Sequence, residues 1–483
     1  METGMAKSPL RDFLELPYEQ LEELNLESKR ARLDRVDPGK IEEQRRKYLT
    51  DERRIKAVTV CFTDLEGRLH MLDYDKKFLL KSADNLTFDG SSIRGFTHIS
   101  ESDLRLTIDW SSFYWLPADV FGPGKVIVFG DVRDQGGQNF EADFRGRLLA
   151  LTRELYAKDR TVAHVSAEIE GFLFSGRDAE RRYLETGGFE FLSTGGYYHS
   201  LPQDPLRQFI DAAAEVQRAM AFSNEKDHPE VGPSQFEMNF GYSEAVVAAD
   251  QIQLYKLICR QVAQRMGITA SFLPKPVTGV NGSGMHTNLS IAREDKNLFH
   301  QKDGPDGLSP LGHQFITRIL NIADQICLVL NSSVNAYRRL DPNYEAPNEI
   351  KASAVNRSAM VRIPLGNERS ARIEVRSIAP DANPYMLIYT LLHAGLNGPD
   401  PAPADTERRP RTRILPDNIL TAIRLCKRSD FLAKIFGEDT LAKYIDLKRS
   451  AADRCPRALG TRIKTGEIIF HHEVTNQMLW NTF

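Results

Sequence analysis

Residues 281–291 read Asn-Gly-Ser-Gly-Met-His-Thr-Asn-Leu-Ser-Ile. After Gly284 the pattern alternates. His286, Asn288 and Ser290 fall on one face of an extended chain, and Met285, Thr287, Leu289 and Ile291 on the other, because strand side chains repeat with a period of two. The glycines let a turn come close to a ligand, and the strand that follows sets a histidine on its polar face. This is not a standard phosphate loop: the chain has no G-x-x-x-x-G-K-[ST], and no G-x-G-x-x-G follows a strand.

Three other segments repeat the design. In Ala167–Phe172, Glu168 and Glu170 share a face. In Ser234–Phe240, Gln235, Glu237 and Asn239 oppose Phe236, Met238 and Phe240. In Ala371–Ile378, Arg372, Glu374 and Arg376 oppose Ile373 and Val375. A solvent-facing sheet would mix in Lys and Thr, whereas these four faces carry Glu, His, Arg, Asn and Gln and no Lys. Converging, they would line a channel of carboxylates with one imidazole, and Glu230, in the preceding turn, can join it. Carboxylates that close repel without a cation, and oxygen ligands with one nitrogen suit hard divalent ions. The pattern predicts Mg2+ or Mn2+, more than one per site.

A second cluster is basic: Arg339, with the loop acid Glu345, then Arg357, Arg362, Arg369, Arg372 and Arg376. Arginine binds carboxylate and phosphate bidentately. Beside a metal channel, it points to an anionic substrate and phosphoryl transfer, which needs positioning and charge neutralisation.

The rest of the chain sets bounds. Its 483 residues suggest two or three domains. With 41% hydrophobic and 27% charged residues it has globular composition, and a net charge of -3 suggests neither nucleic acid nor another polyanion as partner. No apolar run approaches the roughly 20 residues of a membrane span, and the first residues lack a signal peptide's apolar core. Five scattered cysteines without a C-x-x-C pair read as reduced thiols, so a cytoplasmic location is expected. Residues 1–53 read as a helical extension, solvated or in contact with another copy. Residues 54–140 form a small strand-rich unit in which two strands flank Asp64-Leu65-Glu66-Gly67, and 141–483 form a larger domain with recurrent helices.

These residues resemble class I glutamine synthetase, from roughly Ile55 to Leu396. The motifs are FDGSSIRGF (88–96), EIEGFLF (168–174), HPEVGPSQFE (228–237), PKPVTGVNGSGMH (274–286), RRLDPNYEAP (338–347), NRSAMVRIP (356–364) and RIEVRSIAPDANPY (372–385), in the family's order. The resemblance implies an α+β fold. A β-grasp-like domain precedes a catalytic α/β domain whose curved antiparallel sheet lines a bifunnel, open to ATP at one end and glutamate at the other. It implies a homo-oligomer, a dodecamer of two hexamer rings with sites shared by neighbours, and two or three metal ions per site. Glu170, Glu230 and Glu237 match the ligands of one metal, and Glu168, His286 and Glu374 those of a second, on the ATP phosphates. Asn281 and Gly282 match the loop on the glutamate amino group, Arg339 and Arg376 the residues on its carboxylates, and Arg357 and Arg362 the arginines facing phosphate. Glu345 matches a flap acid, the flap being Tyr344 to Pro347. Asp89 matches the ammonium-binding residue donated by a neighbouring subunit. Glu225, Ser290 and Arg369, with Arg357, fall where nucleotide contacts are expected.

The activity implied is ATP-dependent ligation of ammonium to glutamate through γ-glutamyl phosphate. A γ-glutamyl-amine ligase using a polyamine, ethanolamine or an alkylamine stays open beside it, as does a non-catalytic structural relative, which should have lost metal ligands. Three positions depart from the better-studied bacterial members. Asn288 stands where they often have a second histidine. Arg94 stands where Gly or Glu is common, near the expected ammonium site or pointing outward. No tyrosine occurs between Tyr389 and Tyr444, so adenylylation is not expected. The N-terminal extension and the C-terminal tail also depart from the family pattern.

Overall fold

The computed structural model describes residues 13–97, 102–186, 188–199, 203–340, 347–401 and 412–453. Glu345 with all of its flap except Pro347, most of the proline-rich loop near 400 and the tail lie outside these residues. The extension forms two helices, α1 (Tyr18–Leu33) and α2 (Pro38–Asp51). Asp37 caps α2 by accepting from the Lys40 amide, and Pro38 sits in its first turn, where a missing N–H costs nothing.

Five strands follow: β1 (Ala57–Thr63), β2 (Leu69–Asp75), β3 (Leu86–Asp89), β4 (Asp103–Trp115) and β5 (Lys125–Arg133). β1 and β2 flank the expected turn. There Asp64 Oδ1 accepts from the Glu66 and Arg68 amides at 2.9 Å, and Gly67 takes φ +89°, a region that favours glycine. The sheet order is β2-β1-β5-β4-β3, with β1 and β5 parallel and the other pairs antiparallel.

The second sheet has ten strands: β6 (Thr161–Ser175), β7 (Asn224–Pro229), β8 (Gln235–Phe240), β9 (Ser243–Glu244), β10 (Ile268–Ser271), β11 (Met285–Arg293), β12 (Lys296–Asn297), β13 (Glu349–Ser353), β14 (Ala359–Arg362) and β15 (Ile373–Val375). Its main path is β13-β14-β15-β11-β6-β8-β7. The antiparallel expectation needs one correction: β13 and β14 run parallel, so the curled sheet is mixed. The helices Phe144–Asp159, Pro205–Ala219 and Ala245–Arg265 pack against it, and Pro384–Asn397 packs on the first and third of these. The helical apolar spacing that runs across 310–331 folds as two helices, Pro310–Asn321 and Ala323–Leu330, separated at Ile322. No helix of the described residues is long and apolar enough to cross a membrane.

The picture of a solvated extension is incomplete, because α1 joins the two sheets' units. Asn25 is fully buried. Its amide donates to the carbonyls of Trp115, in β4, and Ala219, at the end of Pro205–Ala219, and its oxygen accepts from the Trp115 amide. Arg32 donates to Asp250 at 2.8 Å. Asp250 also accepts from Arg145, which reaches Asp109 of β4 and Asp131 of β5 as well, and from the Tyr385 hydroxyl. Arg145 has no exposed side-chain surface, so its charge is sustained by these carboxylates.

Candidate active site

The register of the ten-stranded sheet brings the four polar faces together. His286 of β11 pairs with Glu168 of β6, Glu170 with Glu237 of β8, Asn288 with Glu374 of β15, and Glu374 with Arg362 of β14. Cross-strand partners stand close enough to touch, so four adjacent strands turn their acids into one space. Two groups result, Glu168 with His286 and Glu374, and Glu170 with Glu230 and Glu237. In each, ligand atoms lie within 4.8 Å of one another. His286 stands between the groups, with Nδ1 3.5 Å from Glu168 and 3.9 Å from Glu374, and Nε2 3.8 Å from Glu170.

Neighbouring groups orient the carboxylates. Glu170 Oε2 accepts from the Gly284 amide at 2.8 Å, so the glycine turn of the opening stretch reaches an acid directly. Asn288 donates to Glu168 and accepts from Arg372 Nε. Asn239 donates to Glu237. Fully buried Glu374 accepts from Arg362 at 2.9 Å and Arg376 at 2.6 Å.

Charge in the cluster is unevenly balanced. Burial and the nearby Glu170 push Glu230 up to about 7, and burial with Glu170 and Glu168 raises Glu237 well above the carboxylate range. Burial works against the Glu168 carboxylate too, but His286 and Asn288 outweigh it and hold this acid at about 2. Five carboxylates and one imidazole crowded in this way suit hard divalent cations. Among the described residues, the buried Asn239 Oδ1 has no hydrogen-bond partner.

The other expected residues divide. Arg339 is buried and donates to the carbonyls of Ile378 and Arg376, and burial lowers it to about 10. It packs on the glycine turn, where a Cβ on Gly284 would strike its guanidinium and one on Gly282 would lie 2.5 Å from the Pro274 carbonyl oxygen. Asn281 is half-buried beside them. A cleft of 520 Å3 opens beyond Glu168, and Glu225, Ser290 and Arg369 all line it. Arg357 is exposed on the turn between β13 and β14 and is not among the lining residues. Asp89 stands on the edge strand of the other sheet, where Ser91 and Ser92 hydroxyls donate to it at 2.6 Å and hold its carboxyl below the usual range. It lines no part of the cleft. Arg94 lies 3.8 Å from Glu66.

Several neighbours of the cluster were given no role from the sequence. Gln235 donates to the Gly282 carbonyl and to Ser283 Oγ, tying β8 to the glycine turn. Its place on the Glu237 face was the available signal. Tyr197 and Tyr198 stack at 3.9 Å and both present their rings to His228, which lies 3.8 Å from Glu237. They sit in a loop, where no periodicity marks them.

Known proteins resemble this chain over most of its length. The family described as "Glutamine synthetase, catalytic domain" matches residues 141–460, and "Glutamine synthetase, beta-Grasp domain" matches 54–135. A glutamine synthetase of Thermotoga maritima is 34% identical over 437 residues, 87% of this chain and 97% of the relative. One from Staphylococcus aureus is 35% identical over 418 residues, 82% and 92%. Among solved structures, one described as apo GmaS without ligand has a TM-score of 0.72 at 28% identity, covering 84% of this chain and 94% of its own. The Plasmodium falciparum glutamine synthetase has a TM-score of 0.76 at 19% identity, covering 89% and 98%, a likeness of fold.

Proposed function

This chain belongs to the glutamine synthetase family, and we propose that it joins ammonia to the γ-carboxylate of L-glutamate at the expense of ATP, giving glutamine, ADP and phosphate. The observation that carries this reading is the pair of three-residue ligand groups on one sheet face, flanked by Arg339, Arg362 and Arg376.

In this reading Glu168, His286 and Glu374 would hold one Mg2+ or Mn2+ ion and Glu170, Glu230 and Glu237 another. Bound there, the ions neutralise phosphate charge and polarise the transferring group. Glutamate lies against the glycine turn, its amino group on Asn281 and Gly282 and its carboxylates on Arg339 and Arg376. ATP enters by the cleft of Glu225, Ser290 and Arg369. The γ-carboxylate oxygen attacks the γ-phosphorus, and the bond to the ADP oxygen breaks. Arg362 and Arg357 face the charge that develops. Ammonia then attacks the acyl carbon and phosphate leaves. Ammonia is mostly present as ammonium at neutral pH, so a carboxylate must take a proton before the nitrogen can attack. Asp89 of a second copy and the flap acid Glu345 take that role, and the flap keeps water from the acyl phosphate. Asp89 stands on the edge strand of the five-stranded sheet and belongs to neither ligand group, which accords with its reaching the site from a second copy.

A second nucleophile class has one observation in its favour. Tyr197 and Tyr198 expose about half their surface (49% and 55%) beside the acid cluster, and aromatic faces attract an alkylated ammonium. The two-step chemistry is tested by trapping. With glutamate, ATP, Mg2+ and hydroxylamine, the reading expects γ-glutamyl hydroxamate and ADP in equal amounts. ADP without hydroxamate, or release that ignores glutamate, would refute it.

A further inference from the structure

The turn between β1 and β2, Asp64-Leu65-Glu66-Gly67, plugs the five-stranded sheet into the larger domain. Three helices of that domain hold it. Gln253, in Ala245–Arg265, donates to the Gly67 carbonyl at 2.8 Å. Asn383, which caps Pro384–Asn397, donates to the Leu65 and Asp64 carbonyls at 3.3 and 3.4 Å. Lys448, in Glu438–Asp453, donates to Glu66 Oε1 at 2.8 Å. The fit is close, since a Cβ on Gly67 would lie 2.6 Å from the Asn383 Cα. Glu66 is the charged centre of the plug. Its side chain is 2% exposed, and that of Lys448 is not exposed at all. Two more cations reach Oε2, Arg68 at 2.9 Å and Arg94 at 3.8 Å. Burial works against the Glu66 charge, but Lys448, Arg68 and Arg94 outweigh it and hold the carboxyl below its usual range.

Arg94 belongs to the segment that carries Asp89. The segment leaves β3 at Asp89, and its outer end is held by its own bonds. Asp89 accepts from the Ser91 and Ser92 hydroxyls, and the Ile93 amide donates to the Gly90 carbonyl at 3.1 Å. Its far end is clamped by packing. Gly95 takes φ +81°, and a Cβ there would lie 2.7 Å from Leu447, the neighbour of Lys448. Phe96 is buried. Among the described residues, Arg94 supplies the segment's only ion pair outside itself. The arginine that departs from the family pattern therefore turns to Glu66.

We propose that Glu66 is a positioning residue for Asp89: through Arg94 and Lys448 it fixes the Asp89 segment to the larger domain of its own copy, so that the Asp89 carboxylate meets the second copy's site in one place. This rests on the proposed ligase reading, in which Asp89 binds ammonium. A segment released from Glu66 would have to be ordered as ammonium binds, and ordering a loop costs affinity.

The test uses the full-length assembled protein. Hydrogen exchange is measured first, without substrates. Glu66→Gln and Arg94→Gln should each speed exchange across residues 90–96 at least fivefold. The double variant should go no further than the faster single one, because both substitutions cut the same link. Steady-state kinetics should then show KM for ammonium raised at least fivefold in each, with KM for glutamate and for ATP within twofold of the parent. Arg94→Lys, which keeps the charge, should recover most of the loss. A merely structural defect would move all three constants together. Arg94 is 33% exposed, so Arg94→Gln decides the matter if Glu66→Gln fails to fold. The proposal is overturned if Arg94→Gln leaves exchange across 90–96 unchanged, or if exchange rises while KM for ammonium stays constant. It is equally overturned if the two effects multiply in the double variant, which would make Arg94 independent of Glu66. Asp89→Ala separates the two readings. If it raises KM for ammonium and Arg94→Gln does not, the positioning role alone fails. If it too leaves that KM unchanged, the ligase reading's assignment of Asp89 fails, and the positioning role with it.

Discussion

At the scale of single residues, the cluster is a set of charges held in conflict, and the conflict has a sign. Burial, then Glu170, raises Glu230 to about 7 from an ordinary value of 4.5. In the metal-free protein its contribution to stability is therefore present at low pH and is lost as pH rises from about 4.5 through 7. A bound cation reverses the preference, because it takes the ionised form. Mg2+ or Mn2+ should accordingly bind more tightly as pH rises from 6 to 8 and release protons on binding, which calorimetry in buffers of different ionisation enthalpy measures. Binding independent of pH would contradict the assignment of Glu230 as a ligand. Gly282 makes a steric prediction. A Cβ there meets the Pro274 carbonyl oxygen at 2.5 Å and Arg339 Cγ at 2.9 Å, so Gly282→Ala must displace the turn. The expected result is a rise of at least tenfold in KM for glutamate with little change in KM for ATP.

At the scale of elements, α1 works as a strap. Its buried Asn25 satisfies three backbone groups across two units, so Asn25→Ala leaves them unpaired at about 1–3 kcal/mol for each unsatisfied group. Chemical denaturation should show a lower midpoint, and an unchanged midpoint would remove the strap role. Arg145→Met removes the cation shared by Asp109, Asp131 and Asp250, leaving Arg32 on Asp109 and Asp250, and breaking such a buried network costs about 3–5 kcal/mol. Elements also show what the sequence can and cannot disclose. The alternation in β8 and β11 was legible because side chains two apart share a face whatever lies above it. All six β8 residues are buried, the polar ones beneath the cluster and the apolar ones in the core. The role of α1 was not legible, since a periodic reading turns Asn25 and Ser28 to solvent, whereas both donate to carbonyls across an interface. The tyrosine pair was invisible for a related reason: Tyr197 and Tyr198 sit in a loop, where no period exists.

At the scale of the whole molecule, the proposal divides the site between copies of the chain. The acid cluster belongs to the ten-stranded sheet, the cleft of Glu225 and Ser290 opens beside it, and Asp89 belongs to the edge of the five-stranded sheet. Copies carrying Asp89→Ala and copies carrying Glu237→Gln should each be nearly inactive alone. Mixed during assembly, they should regain a fraction of activity, because some sites then pair an intact Asp89 with an intact Glu237. No recovery in verified mixed oligomers would place Asp89 outside the site. The central claim concerns the nucleophile, and the most direct measurement is competition. The assembled protein is given glutamate, ATP and Mg2+ with equal concentrations of ammonium, methylamine, ethanolamine and putrescine, and products are identified by mass. The account predicts glutamine far in excess of every γ-glutamyl amide. A γ-glutamyl amide of one of the organic amines as the main product would contradict it and transfer the chemistry to the tyrosine-lined edge of the cluster.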